Sequence, residues 1–195
     1  MSGLYVSEGG GGGDFKNVST GTHPAVCSML VDLGLQQSSF NGEVKTQHKI
    51  YLRFDVPGER TDDGKPLSVG TTVTASLHKK GNLRGMLESW RGRAFTEAEL
   101  QKFDVSSVLG KPCMLNVLEE VKGDKTYANI KAIMSLPKGL PVPALEGKPV
   151  LYTGQPEVLS TLPEWLQKKI ATQVKPKDKP VAQATQEQIN EDVPF

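Results

Sequence analysis

Cysteine and histidine are the scarce chemistry of this chain. Only two cysteines, Cys27 and Cys113, occur in 195 residues, far apart and each within an apolar run. That argues against a disulfide-stapled secreted scaffold and fits small buried thiols in a reducing compartment. The three histidines, His23, His48 and His78, are scattered without ligand spacing, so no metal site is expected. Long apolar runs are missing too, and none approaches the roughly 20 residues of a membrane-spanning helix. The opening Met1-Ser2-Gly3-Leu4-Tyr5 lacks the basic-then-apolar layout of a secretory leader. The expectation is a soluble cytoplasmic protein with no membrane partner.

Catalytic constellations are equally absent. No Ser-His-Asp, Cys-His, Walker or zinc-deaminase pattern occurs, so the reading is a non-enzyme with no catalytic residues and no cofactor. The loop acids Asp55, Glu59, Asp62 and Asp63 suggest a metal-dependent nuclease, but they lack a paired base and a fixed scaffold. Charge of one sign is lacking overall, since the net charge is +1. Its distribution is uneven. Residues 15–140 carry 17 Lys and Arg against 13 Asp and Glu. A mildly basic body is compatible with a polyanionic ligand.

The chain divides by composition. Residues 1–14 contain five consecutive glycines and read as a flexible arm. Strand-like segments follow at 24–35, 47–56 and 71–78, with a polar loop at 58–70. In the second, Ile50, Leu52, Phe54 and Val56 alternate with Lys49, Tyr51, Arg53 and Asp55, which buries one face and wets the other. Helical spacing then appears in Leu83, Met86, Leu87 and Trp90, and Thr96 with Glu99 forms a capping box. Two more strands, 112–121 and 126–136, flank the turn 122–125. This order predicts a mainly β fold: a five-stranded OB-type barrel over residues 15–140, with a helical insert between strands three and four. Residues 141–173 read as a Pro-rich wrap with one helix at 162–172, capped by Thr161 and packed back through Trp165, Leu166 and Ile170. Residues 174–195 cannot bury enough surface to fold and read as a disordered tail.

Three groups are candidates for ligand contact. Lys49, Tyr51 and Arg53 would face outward together, an aromatic to stack a base between cations for phosphates. His78, Lys79, Lys80, Arg84, Arg91 and Arg93 form a basic cluster around the insert, in which Trp90 continues the apolar helix face as core. On the fifth strand Tyr127, Asn129 and Lys131 share a face that, by simple alternation, also includes Ile133. A fourth group ends the chain. Asp192, Val193, Pro194 and Phe195, after Glu191, put an apolar anchor beside acids and suit a basic-rimmed pocket on a partner protein.

The ending Asn190-Glu191-Asp192-Val193-Pro194-Phe195 resembles the acidic, Pro-Phe-terminated tail of bacterial single-stranded-DNA-binding proteins. It has fewer acids, and Val where Ile is common. The run Leu83-Arg84-Gly85-Met86-Leu87-Glu88-Ser89-Trp90-Arg91-Gly92-Arg93, with Thr96-Glu97-Ala98-Glu99-Leu100 and Leu109-Gly110-Lys111-Pro112-Cys113, resembles bacteriophage replication and recombination proteins. The resemblance implies a phage single-stranded-DNA-binding protein with an OB core, acting in replication, recombination and repair in the host cytoplasm. It also implies that Asp192, Val193, Pro194 and Phe195 recruit replication or recombination proteins. The alternative is an adaptor whose body binds protein and touches no DNA. Assembly into a homo-oligomer stays open under either reading.

Overall fold

The computed structural model describes residues 16–40 and 42–174. The glycine arm, residues 175–195 and the site residues Asp192, Val193, Pro194 and Phe195 lie outside the described residues.

Strand β1 (Gly21–Phe40) pairs antiparallel with β2 (Glu43–Arg60) along most of its length. On its other edge β1 pairs first with β4 (Pro112–Lys122) and then, in parallel, with the short β6 (Val150–Tyr152). Strand β3 (Pro66–Thr74) adds to β2, and β5 (Lys125–Met134) adds to β4. The result is a six-stranded sheet in the order β3-β2-β1-β4-β5, with β6 beside β1. Between β3 and β4 run α1 (Asn82–Arg91), α2 (Glu97–Gln101) and a 3-10 turn (Val105–Val108). Helices α3 (Pro156–Leu159) and α4 (Glu164–Ala171) follow β6.

Two bulges shape β1. Its register against β2 slips between Cys27 and Met29 and again between Asp32 and Gly34. Gly34 has φ +66, a left-handed conformation that glycine adopts without a Cβ penalty. The first slip sends Ala25, Cys27 and Leu30 to one face, and Met29, Val31 and Leu33 to the other. Both faces are covered, which is why this stretch reads as continuous apolar sequence rather than as an alternation.

The inner core joins Leu52, Phe54 and Val56 of β2 to Leu83, Leu87 and Trp90 of α1 and to Leu115 and Val117 of β4. Trp90 meets Phe54 at 5.4 Å between ring centroids, and its indole N–H donates to Pro112 O at 2.7 Å. The reading of Trp90 as core matches this placement. Cys27 and Cys113 are buried free thiols. Burial pushes the Cys27 pKa up to about 12 and raises that of Cys113 as well. The outer core sets Met29, Val31 and Leu33 against Tyr152, Leu162, Leu166 and Ile170. Leu162, Leu166 and Ile170 recur every four residues, the spacing of one helix face.

Several boundaries differ from the sequence reading. Strand β3 begins at Pro66, inside the supposed loop, because Leu67 and Val69 are buried opposite Val56 and Phe54. It stops at Thr74, where Ser76 N–H turns back to Thr74 O. The residues after it, expected in the strand, lead into α1 instead. Strand β6 and α3 have no pattern long enough to be seen in sequence. Thr161 does not cap α4. The N-cap is Pro163, and the Thr161 hydroxyl donates to Val158 O instead. The Thr96/Glu99 capping box is present at α2 as expected.

Candidate nucleic-acid interface

The outer face of β2 and β3 follows from the pleat. With Ile50, Leu52, Phe54 and Val56 turned inward, Lys49, Tyr51, Arg53 and Asp55 occupy the opposite face. Thr74, Thr72, Gly70 and Ser68 of β3 stand directly beside them. Lys49 Nζ donates to Gln47 Oε1 and to Thr74 Oγ1, each at 2.8 Å. Arg53 Nε donates to Ser28 Oγ at 3.0 Å and lies 3.5 Å from Asp55 Oδ1. Ser28 Oγ donates in turn to Asp55 at 2.6 Å. Ser28 and Asp55 are buried, so these bonds replace the water both groups give up.

Tyr51 is half-buried rather than free. Its ring lies over Gly70, where a Cβ would overlap the phenol, so the close approach depends on glycine. Trp165 of α4 meets it edge-on, with centroids 5.0 Å apart and ring planes at 87°. Burial raises the Tyr51 pKa above its ordinary value; Arg53 pulls it down and Asp55 pushes it up by smaller amounts. Trp165 itself remains 49% exposed.

A groove of about 580 Å³ lies where the free edges of β3 and β5 approach each other. Residues 71–73 line it from β3, residues 130–133 from β5, and Lys79, Lys80, Gly81 and Asn82 from the approach to α1, whose own residues complete the lining. Helix α1 starts here with no side-chain cap and no acid in its first turn. Its leading N–H groups therefore favour an anion. Lys79 and Lys80 are exposed. Among the described residues no carboxylate pairs with Lys49, Lys79 or Lys80. Thr72 both stands opposite Tyr51 and lines the groove, so the aromatic pair and the lysines share one continuous surface.

The remaining candidates are placed differently. Arg84 bonds Glu88 at 3.0 Å and borders a shallow depression with His78 and Lys79. Arg91 and Arg93 both engage Glu99, and Arg91 also stacks on Phe95 at 4.4 Å. Arg93 first, then the Thr96 backbone and Arg91, hold the Glu99 carboxyl well below the usual carboxylate range. Arg91 and Arg93 thus brace the insert, and neither lines the groove. On β5 the register slips beside Lys131. That bulge breaks the simple alternation: Ile133 is buried while Tyr127 and Lys131 stay exposed. The expectation that Ile133 shares their face is therefore corrected. Lys131 lines the groove but is paired with Glu120, and Tyr127 lies outside it.

Trp165, Thr72, Asn82 and Gly70 belong to this surface, and the sequence reading did not select them as contacts. Trp165 was expected to pack back on the body with Leu166 and Ile170; those two are buried, but Trp165 falls beside the four-residue repeat of Leu162, Leu166 and Ile170 and stays half-exposed against Tyr51. Among the described residues no group of acids, cysteines and histidines is arranged to hold a metal. No helix among them is long and apolar enough to cross a membrane. No family model matches the chain, and no curated protein matches it.

Proposed function

We propose that this chain binds single-stranded DNA without strong sequence preference, through the outer face of β2–β3 and the groove between β3 and β5. The observation that carries the proposal is the continuity, through Thr72, of an aromatic pair with unpaired lysines and an uncapped helix start. Single strands need this combination: π-faces for bases and cations along the backbone. The strand order β3-β2-β1-β4-β5, with a helix between β3 and β4, supports an OB-type barrel, a fold that presents its second and third strands to oligonucleotides. The reaction class is binding, not catalysis, and no cofactor enters it.

Titration with oligo-dT at two salt concentrations tests this. Binding is expected at low salt and falls steeply as salt rises, because each neutralised phosphate releases counterions. Absence of binding at low salt would refute the proposal. It would favour the second reading, a protein-binding adaptor, for which exposed Leu118, Val121 and Tyr127 on the β4–β5 hairpin offer an apolar contact.

The biological setting belongs to the same proposal: a phage protein serving replication, recombination and repair in the host cytoplasm. Asp192, Val193, Pro194 and Phe195 recruit replication or recombination proteins there. Removing residues 193–195 is expected to abolish capture of those proteins while oligo-dT affinity holds or rises slightly. Loss of DNA binding on that deletion would show that the tail has been misassigned.

A further inference from the structure

We infer that Trp165, on the C-terminal helix α4, is the principal base-stacking residue of the DNA site. This rests on the proposed single-stranded-DNA function and assigns its aromatic contact to a residue outside the strands.

Strand position alone would give that role to Tyr51. Yet Tyr51 has its ring over Gly70 and the perpendicular ring of Trp165 packed against it. Little of its π-face is left for a ligand. Trp165 inherits the opening. It sits one residue before Leu166, about 100° around the helix, at the margin of the buried face. Its indole leans over Tyr51 instead of entering the outer core. The two rings stand perpendicular with centroids 5.0 Å apart, so a base lying flat on the exposed indole would turn its edge toward the Tyr51 side. Two cations are close along the chain: Arg53, two residues on from Tyr51 in β2 and held by Ser28 and Asp55, and Lys168, one turn along α4 and paired with Glu164 at 2.7 Å. Among the described residues the Trp165 indole N–H has no hydrogen-bond partner, in contrast to that of Trp90.

The ledge is also fixed in place. Gln36 Nε2 donates to Lys169 O at 3.0 Å and to Leu33 O at 2.7 Å, and Val174 N–H donates to Leu35 O at 2.8 Å. With Leu166 and Ile170 buried, these bonds hold α4 against β1 before any ligand arrives. Little ordering remains to be done on binding.

The chain has two tryptophans, and only Trp165 is exposed to solvent. Trp90 emits as well, but only Trp165 is open to contact by a ligand or by acrylamide, so the part of the emission that responds to either reports on Trp165. The full-length protein is titrated with oligo-dT while its emission and the anisotropy of a labelled oligo-dT are followed in parallel. Emission is expected to be quenched and shielded from acrylamide as the oligonucleotide saturates. Trp165→Phe should abolish the quenching, and Trp165→Ala should weaken binding by roughly 5- to 150-fold, the range of one lost base stack. Unchanged wild-type emission at saturating oligo-dT overturns the inference, whatever the variants do. So does unchanged anisotropy-measured affinity in a folded Trp165→Ala protein. Either result leaves the proposed function standing, because anisotropy still records binding. A flat anisotropy curve for the wild type removes both.

Discussion

Combining Lys79→Glu with Lys80→Glu is expected to lower oligo-dT affinity about 100-fold at low salt and to flatten its salt dependence by roughly 1.4 in log–log slope. The slope follows from two lost phosphate contacts at about 0.7 each for single strands. The affinity loss combines those contacts with repulsion from two new anions, together about 3 kcal/mol for pairs near a protein surface. The two lysines line the groove and no described carboxylate neutralises them, so little compensating relief is available within the protein. Arg91 and Arg93 differ, since Glu99 already occupies them. Lys16→Glu serves as the control. Lys16 sits beside Arg60 O, at the far end of β2 from the groove. Anisotropy titrations at several salt concentrations give both quantities. A double variant with wild-type affinity would place the ligand elsewhere.

Phe54→Ala is expected to cost about 3–5 kcal/mol of stability. Phe54 is fully buried in the inner core and touches Trp90 edge-on. Truncation leaves a cavity under α1 that neither β2 nor β4 can close, since both are fixed by ladders to β1. Against a typical total of about 5–15 kcal/mol, that loss is large. Urea denaturation checks it: the midpoint should fall while the slope stays constant. A loss under about 1 kcal/mol would mean that the cavity collapses and the inner core is not centred at Phe54.

The fold was legible where one face alone is buried. Residues 50–56 announce β2 through strict alternation, and Thr96 with Glu99 announces α2 through local hydrogen bonds that need no tertiary partner. Legibility failed where tertiary pairing overrides composition. Pro66, Ser68 and Gly70 look like loop, yet the β2 ladder makes them strand, and Gly70 is required by the Tyr51 ring above it. The bulge beside Lys131 is invisible in sequence, and it decides which side of β5 reaches the groove. For the site, residue types identified Lys49, Tyr51 and Arg53 as an outward row but not what covers it. Trp165 is 114 positions further along the chain than Tyr51, a juxtaposition that periodicity cannot reach. Ion pairing was equally hidden: the insert's arginines read as a free basic cluster until Glu88 and Glu99 are seen to occupy them.

The clamp between Gln36 and Lys169 spans 133 residues, which bears on biosynthesis. Synthesis at about 5–20 residues per second puts roughly 7–27 s between the emergence of these two partners. Through that interval Met29, Val31 and Leu33 have been made, but the helix that shelters them has not. The nascent chain thus carries an uncovered greasy strip until nearly the last described residue is added. Translation speed and chaperone supply should therefore influence how much of this protein reaches its native state.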